Sequence, residues 1–163
     1  VKFLKNRHNY IISNTLEIND TKDNYEIKSF KTIDLLINYL KTKEYDVNWV
    51  IGGGQIYKTF INRYLINKFY ITYIDKEIHC DAFMISLPKY FLKKKCELSN
   101  EKYENNNIYY LVYEKIKKDD ILIYKNKEKC IVKDIHHDDY PNIYITIKIE
   151  NKEIQTIIEN LSL

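Results

Sequence analysis

The chain has 163 residues, of which 45% are hydrophobic and 30% charged, and its formal net charge at pH 7 is +3. The sequence has no short repeat, no long heptad run and no stretch of 18 apolar residues. Together with the composition, this excludes collagen, a coiled coil, a disordered chain and a membrane span. Lysine outnumbers arginine by 24 to 2 but is interspersed with acidic residues. We therefore expect a solvated mixed surface and no nucleic-acid partner.

Alternating strand and helix patterns fill the first two thirds of the chain. The predicted strands lie at residues 9–13, 47–51, 69–74 and 108–113. The first predicted helix follows Ser29, which can cap it, and its apolar residues recur at helical spacing: Ile33, Leu36, Ile37 and Leu40. The second predicted helix occupies residues 55–66. This order predicts an α/β sheet with parallel crossovers.

The only three glycines of the chain, Gly52, Gly53 and Gly54, are consecutive, whereas average usage would give roughly eleven scattered ones. They lie between the predicted strand at 47–51 and the helix at 55–66. Without Cβ atoms the backbone turns sharply there, and a helix N-terminus attracts a diphosphate. The spacing is neither GxGxxG nor a P-loop, so a flexible turn remains an alternative. The isolation of the triplet favours the phosphate cradle.

A charged segment at residues 115–120 separates this region from a tail with a different pattern. The tail holds four short β-rich runs with no helix between them: residues 121–124, 130–135, 143–149 and 153–158. Residues 119–163 therefore predict a separate small antiparallel barrel, which at about 45 residues is near the lower limit for an independent core. The pattern resembles SH3-like barrels, which bind peptides or proteins. A protein-docking role and a structural cap are both open.

The cysteine and histidine pattern does not predict a disulfide framework or a metal site. Three cysteines lack CxxC or Cys/His spacing, which indicates structural or free thiols in a reducing compartment, and we expect a cytoplasmic location: Cys80, Cys96 and Cys130. No signal peptide is visible. Residues 136–139 read HHDD, but neighbouring residues of a strand point to opposite faces and do not converge on one ion. A polar turn bent by Pro141 is expected there.

Residues 49–57, WVIGGGQIY, resemble the central motif of the dihydrofolate reductase family. Four other segments agree in order: residues 4–13 with the L-x-x-R-x-N entry to a strand ending in serine, 69–75 with L-Y-L-T-x-I-D, 80–83 with G-D-T-F-F-P, and 108–115 with F-x-V-Y-E-K. The resemblance covers about residues 1–116. It implies an incomplete reductase-like domain with a mixed, mostly parallel sheet flanked by helices, and NADPH-dependent reduction of dihydrofolate to tetrahydrofolate.

The resemblance also implies roles for single residues. Arg7 would clamp the α-carboxylate of the folate glutamate, and only arginine offers a planar bidentate fork for a carboxylate. The carbonyl of Ile51 would accept a hydrogen bond from the pteridine amine, and Thr72 would hydrogen-bond the catalytic carboxylate and a water at the pterin. Tyr57 would lie beside the nicotinamide. The cofactor diphosphate would be held by Gly52, Gly53, Gly54, Gln55 and Ile56.

Several positions depart from the family pattern. Ser13 and Asn14 fall where the adenosine 2′-phosphate is recognised, and the basic residue that the family often has nearby is missing, which weakens the NADPH preference. Cys80 replaces the usual glycine and Ala82 the usual threonine in a loop that supports closure over the cofactor. These changes predict altered turnover.

The largest departure concerns the catalytic acid. In the family, a first strand, a mobile loop and a helix with the active-site Asp or Glu precede the Arg7 segment, and by position neither Asp34, Asp46 nor Asp75 replaces that acid. We therefore expect an N-terminally truncated reductase that is inactive alone. The alternative is an inactive reductase-like scaffold whose barrel binds a protein. A riboflavin-pathway reductase is disfavoured, because its motif usually has an acidic residue where Ile51 stands.

Overall fold

The computed structural model describes residues 3–138 and 143–163. Contacts within the chain divide it into two compact units, Val1–Trp49 and Val50–Leu163, which are called unit 1 and unit 2 below. No helix in the described part of the chain is long and apolar enough to cross a membrane.

Unit 1 is a three-stranded sheet followed by one helix. Its elements are β1 (Asn9–Ile12), β2 (Asn19–Lys22), β3 (Tyr25–Phe30) and α1 (Ile33–Leu40). The strand order is β1-β3-β2, with β1 parallel and β2 antiparallel to β3. Asp23 and Asn24 join β2 to β3 with φ values of 51° and 67°, the positive values of a tight hairpin turn.

The start of α1 differs from the prediction by three residues. Ser29 is still part of β3, and its Oγ accepts a hydrogen bond from the amide of Ile18 at 2.8 Å. Thr32 caps the helix, because its Oγ1 accepts a hydrogen bond from the Leu35 amide at 3.3 Å. The apolar spacing thus located the helix, whereas Ser29 bonds within its own sheet and is not available as a cap.

Unit 2 contains one helix and two antiparallel sheets. The helix is α2 (Gly54–Asn62). The first sheet is formed by β4 (Lys68–Ile74), β5 (Phe91–Tyr103) and β6 (Asn106–Lys115), in the order β4-β6-β5. The second has the order β10-β9-β8-β7-β11 and is formed by β7 (Ile121–Tyr124), β8 (Glu128–His136), β9 (Tyr144–Ile149), β10 (Lys152–Ile157) and β11 (Leu161–Ser162). A short 3₁₀ helix, Ile158–Asn160, precedes β11.

The predicted mostly parallel sheet is not supported. Among the described strands only β1 and β3 pair in parallel, and every other ladder is antiparallel. Residues 47–51, predicted as the strand before the glycines, form no strand. Val47, Trp49 and Ile51 are 64%, 62% and 63% exposed. An interior strand needs ladder partners and cover on both faces, and no described strand pairs with this segment.

The second sheet of unit 2 does not close into the predicted barrel. β10 and β11 are its two edges and do not pair with each other. Its apolar face is covered by the rest of unit 2, because one buried cluster joins both regions: Ile61, Phe69, Tyr90, Phe91, Ile116, Leu122, Cys130, Val132, Ile145, Ile147, Ile158 and Leu161. A sheet of this size buries too little apolar surface alone, so packing replaces closure. The boundary near residues 116–119 stays a prediction.

Candidate functional site

The three glycines form the turn that leads into α2. Gly53 is the N-cap of the helix and has a φ of +68°, a conformation in which an L side chain is strained. A Cβ atom built on any of the three would meet no heavy atom within 4 Å. Packing inside the protein therefore does not require glycine at these positions. The space beside the turn is open, so an external group can approach the backbone.

The first turn of α2 presents amide groups that no side chain caps. Its N-cap makes no side-chain hydrogen bond, and no acidic residue lies in the first turn. The Tyr57 amide bonds the Gly53 carbonyl at 3.1 Å, which leaves the amides of Gly54, Gln55 and Ile56 without an intrahelical acceptor. These amides and the positive end of the helix dipole suit a diphosphate. The predicted cofactor cradle thus fits the group assigned to it.

The packed face of α2 fixes the helix in unit 2. Ile61 is 3% exposed in the shared buried cluster, and the half-buried Tyr57 packs against that cluster. Thr59 donates its hydroxyl to the Gln55 carbonyl at 2.8 Å on the exposed side. The Tyr57 side chain, which is predicted to lie beside the nicotinamide, therefore packs partly against the core.

Thr72 lies on an exposed row of the first sheet of unit 2. It is opposite Tyr110 of β6, and Tyr70 lies two residues before it in β4. At the end of this row Lys68 Nζ lies 2.7 Å from Glu114 Oε1, and this hydrogen bond lowers the pKa of the Glu114 carboxyl. The row therefore offers a hydroxyl and aromatic rings to solvent, with its one cross-strand carboxylate at that end already paired.

The loop before β1 presents Arg7, and Asn9 holds that loop in shape. The Asn9 amide accepts a hydrogen bond from Leu4 N at 2.9 Å and donates to the carbonyls of Leu4 and Arg7 at 2.9 and 2.8 Å. Arg7 is exposed, and its Nε donates to the Lys5 carbonyl at 3.2 Å. Asn9 stands in the quoted L-x-x-R-x-N motif, but sequence reasoning gave it no role. Its position two residues after the arginine was the available signal.

Asn9→Ala is expected to weaken dihydrofolate binding by about fivefold and leave NADPH binding unchanged. The loss of three hydrogen bonds of a half-buried side chain, each contributing on the order of 0.5–1.5 kcal/mol, loosens the loop that carries Arg7. Titration of the purified variant with each ligand measures both affinities. Asn38→Ala, an exposed asparagine of α1 in the same unit, is the control. Equal dihydrofolate affinity in both variants would contradict this role of Asn9.

Ser13 and Asn14 lie in the turn that leaves β1. The Ser13 Oγ accepts hydrogen bonds from the amides of Leu16 and Thr15 at 3.0 and 3.3 Å, so it shapes its own turn. Asn14 is exposed. The oxygen thus acts as an acceptor within the chain, and recognition of a 2′-phosphate by the hydroxyl stays a prediction.

Comparison with known proteins identifies the family of the chain. The sequence model of the dihydrofolate reductase family matches residues 1–115. The chain belongs to the dihydrofolate reductase family. It is 33% identical over 122 residues to the bifunctional dihydrofolate reductase-thymidylate synthase of Plasmodium berghei, covering 71% of this chain and 21% of that protein. It is 30% identical over 120 residues to the dihydrofolate reductase of Heliothis virescens, covering 69% of this chain and 64% of that protein.

The chain thus spans about a fifth of the bifunctional relative and just under two thirds of the insect protein. Both similarities involve about seven tenths of this chain. The segments that carry Arg7, the glycine turn and Thr72 all lie inside the region that the dihydrofolate reductase model matches.

Unit 1 of this dihydrofolate reductase family member also contains a carboxylate network that sequence reasoning missed. Glu26 of β3 accepts hydrogen bonds from the hydroxyls of Tyr10 and Tyr39 at 2.5 and 2.8 Å and from Lys43 Nζ at 2.9 Å. These bonds, Tyr10 first, lower the pKa of Glu26 to about 2. Four residues from three elements and a loop converge here, and no local pattern in the sequence marks them. A carboxyl that stays ionised does not donate protons near neutral pH.

Glu26→Gln is expected to destabilise the fold by about 2 kcal/mol at pH 7, since it removes a charged acceptor of three hydrogen bonds. A carboxyl whose folded pKa is lowered stabilises fully above its unfolded pKa of about 4.5, and this contribution is lost as the pH falls toward 2. Urea unfolding between pH 7 and pH 2.5 measures the difference. The variant should show a flatter pH dependence than the wild type below pH 5.

Glu17→Gln is the control for this prediction, because the Glu17 carboxylate is 79% exposed and forms an exposed ion pair with Lys31, at 3.1 Å. An exposed pair of this kind contributes little to stability. If Glu26→Gln and Glu17→Gln unfolded at the same urea concentration at every pH, the proposed strength of the Glu26 network would be wrong.

The other cysteine and histidine residues singled out in the sequence have the following surroundings. Cys80 and Cys96 are exposed free thiols, and burial raises the pKa of the free thiol of Cys130. His136 stacks on Tyr144 and lies 2.8 Å from the Thr146 hydroxyl, whereas the ring of His137 faces Tyr64. The two histidines thus have different neighbours. The rest of the predicted turn, 139–142, lies outside the described residues.

Proposed function

We propose that the chain is part of an NADPH-dependent oxidoreductase that reduces 7,8-dihydrofolate to tetrahydrofolate, a step of one-carbon and thymidylate nucleotide metabolism. The observation that carries this proposal is the open glycine turn with its uncapped helix amides, inside the region matched by the family. The names of the two relatives support the substrate. The chain spans only part of each relative, so we propose the reductase activity for the complete enzyme of which this chain forms part.

In this proposal residues 52–56 hold the cofactor diphosphate. The amides of the first turn of α2 donate to the phosphate oxygens, and the missing side chains at Gly52 and Gly53 let them approach. NADPH, when bound, supplies the hydride, while the chain binds and orients the reactants. Ser13 and Asn14 bring no positive charge to a 2′-phosphate, so we expect a smaller preference for NADPH over NADH than a basic residue would give.

Three residues are proposed for the substrate. Arg7 binds the α-carboxylate of the folate glutamate with its guanidinium, which makes no ion pair with the described residues. The carbonyl of Ile51 accepts a hydrogen bond from the pteridine amine, and Thr72 offers its hydroxyl near the pterin. Both residues are exposed in unit 2, which leaves them available for a ligand.

We propose further that this chain binds both ligands without turning them over. The proton required at N5 of the substrate does not come from Glu26, whose pKa of about 2 keeps it ionised. Asp34, Asp46 and Asp75 do not match the position of the family's acid. The chain then supplies binding and orientation, and a carboxylic acid outside these residues supplies the proton.

Fluorescence titration of the purified chain with NADPH tests the proposal. Saturable binding is expected, with the diphosphate fragment of the cofactor competing for the same site. Addition of dihydrofolate to the binary complex should give a second saturable change without consumption of NADPH at 340 nm. Failure to bind NADPH at millimolar concentration would refute the assignment of the glycine turn.

A scaffold with a protein-binding tail is the second candidate, and one observation favours it. The SH3-like character of the tail stays a proposal, since β11 pairs with β7 but the sheet does not close. On its outer face the cross-strand pair Ile121 and Ile131 is 63% and 38% exposed. Under this alternative the NADPH titration gives no binding. A cytoplasmic location remains a prediction in both cases.

A further inference from the structure

The buried face of α2 and the C-terminal sheet share one core. Ile61 of α2 belongs to the same buried cluster as Ile145 and Ile147, both 0% exposed, and Ile158. We propose that the C-terminal sheet, β7–β11, is a positioning element for the glycine turn: it holds α2 in place and thereby sets the affinity for the cofactor. This inference rests on the proposed NADPH site.

Local interactions alone do not hold α2. A helix of nine residues is marginal in water without tertiary contacts. Its glycine start adds backbone entropy to the unfolded state and no side-chain cap. Val50 and Ile51, which lead into the turn, are not part of a strand and so do not anchor it to a ladder. The order of the turn therefore depends on the packed face and the C-terminal end of the helix.

An aromatic cluster fixes that C-terminal end, and it includes His137, the residue that follows β8 of the C-terminal sheet. Tyr64, two residues after α2, has a φ of 57°, and its amide bonds the Ile61 carbonyl at 2.9 Å. The Tyr64 ring centroid lies 5.8 Å from that of Tyr90 and 5.1 Å from that of His137. Lys115 Nζ lies 5.8 Å from the centroid of each tyrosine ring. The end of α2 thus packs against Tyr90 and Lys115 on one side and His137 on the other.

A second contact, at the surface, joins the segment before β5 to the 3₁₀ helix before β11. Lys89 Nζ lies 2.5 Å from Glu159 Oε1, and Ile158 beside it is 7% exposed. The ion pair is exposed and contributes little by itself. Apolar burial around Ile158 and Ile61 carries most of the attachment, because such burial scales with the area removed from water. If the apolar contacts around Ile158 and Ile61 are lost, we therefore expect α2 to loosen before the C-terminal sheet unfolds.

Adjacent histidines provide the test, because only one of them faces the helix end. His137→Ala removes the ring that contacts Tyr64, whereas His136→Ala removes a ring of the same size that stacks on Tyr144 within the C-terminal sheet. We expect His137→Ala to raise the dissociation constant for NADPH about threefold to tenfold and to speed amide hydrogen exchange in residues 55–62. His136→Ala should leave both within twofold of the wild type, and His137→Phe should restore both.

Hydrogen exchange separates positioning from a general loss of stability, since amides of β8 and β9 report on the sheet itself. Faster exchange confined to α2 in His137→Ala, and in the milder core variant Ile158→Val, supports the inference. Equal exchange in the His137 and His136 variants overturns it. If the wild-type chain does not bind NADPH, the proposed function fails, and the exchange rates of α2 still decide whether the C-terminal sheet holds the helix.

Discussion

Gly53→Ala is expected to weaken NADPH binding by about tenfold or more and also to destabilise the free chain, whereas Gly52→Ala should weaken binding alone. The difference follows from the backbone, because Gly53 has a φ of +68° and a Cβ there costs roughly 1–2 kcal/mol. At neither position would the new methyl group meet an atom of the protein within 4 Å. A loss of affinity in Gly52→Ala therefore reports on a ligand that needs the space beside the turn.

Fluorescence titration gives the two affinities and thermal unfolding the two stabilities. Lys58→Ala, on the exposed side of the same helix, is the control and should change neither quantity by more than a small amount. Wild-type affinity in Gly52→Ala together with wild-type stability would mean that nothing approaches the turn closely. The glycines would then serve only the geometry of the chain, and the diphosphate assignment would be lost.

Sequence patterns correctly predicted the helices and strands that are marked by neighbouring residues in the chain. The apolar runs around Tyr10, Ile71 and Leu111 predicted β1, β4 and β6, and the helical spacing of Ile33 and Leu36 predicted α1. The glycine triplet located the turn before α2, because no other part of the chain uses glycine. Each of these signals depends on residues that are close in sequence, and tertiary contacts did not change their outcome.

Four strands were missed, β2, β3, β5 and β11, and two of them, β2 and β5, carry no apolar alternation in their sequences. All four residues of β2, Asn19–Lys22, are exposed, and the strand exists because Asp23 and Asn24 turn the chain back onto β3. β5, Phe91–Tyr103, contains three consecutive lysines and lies at the edge of its sheet, where charged side chains are tolerated. Edge strands depend on a partner's backbone, so their own side chains need not reveal them.

The opposite error occurred at residues 47–51, where the apolar pattern of a strand is present and the strand is not. A hydrophobic run indicates which residues prefer burial. A strand also needs a neighbouring backbone to pair with, and the local sequence pattern does not identify that partner. The Glu26 network was missed for a related reason. Its members are Tyr10, Glu26, Tyr39 and Lys43, which become neighbours only when the sheet and helix of unit 1 have packed.

Arg7→Lys is expected to weaken dihydrofolate binding by about tenfold to a hundredfold and to leave NADPH affinity and thermal stability unchanged. A lysine keeps the charge but loses the planar fork that bonds both carboxylate oxygens, and hydrogen bonds to a charged group contribute about 1.5–3 kcal/mol. Arg7 is exposed, and among the described residues its outer nitrogens make no hydrogen bond, whereas Nε donates to the Lys5 carbonyl, so the fold does not depend on those nitrogens.

Arg63, the only other arginine of the chain, supplies the matched control, because Arg63→Lys makes the same chemical change at the end of α2. It should leave dihydrofolate affinity unchanged. A substrate analogue without the glutamate carboxylates gives the decisive comparison: it should bind the wild type and Arg7→Lys with equal affinity. If Arg7→Lys weakened this analogue as strongly as dihydrofolate, Arg7 would act on the pterin end or on the fold, and its assignment to the α-carboxylate would be wrong.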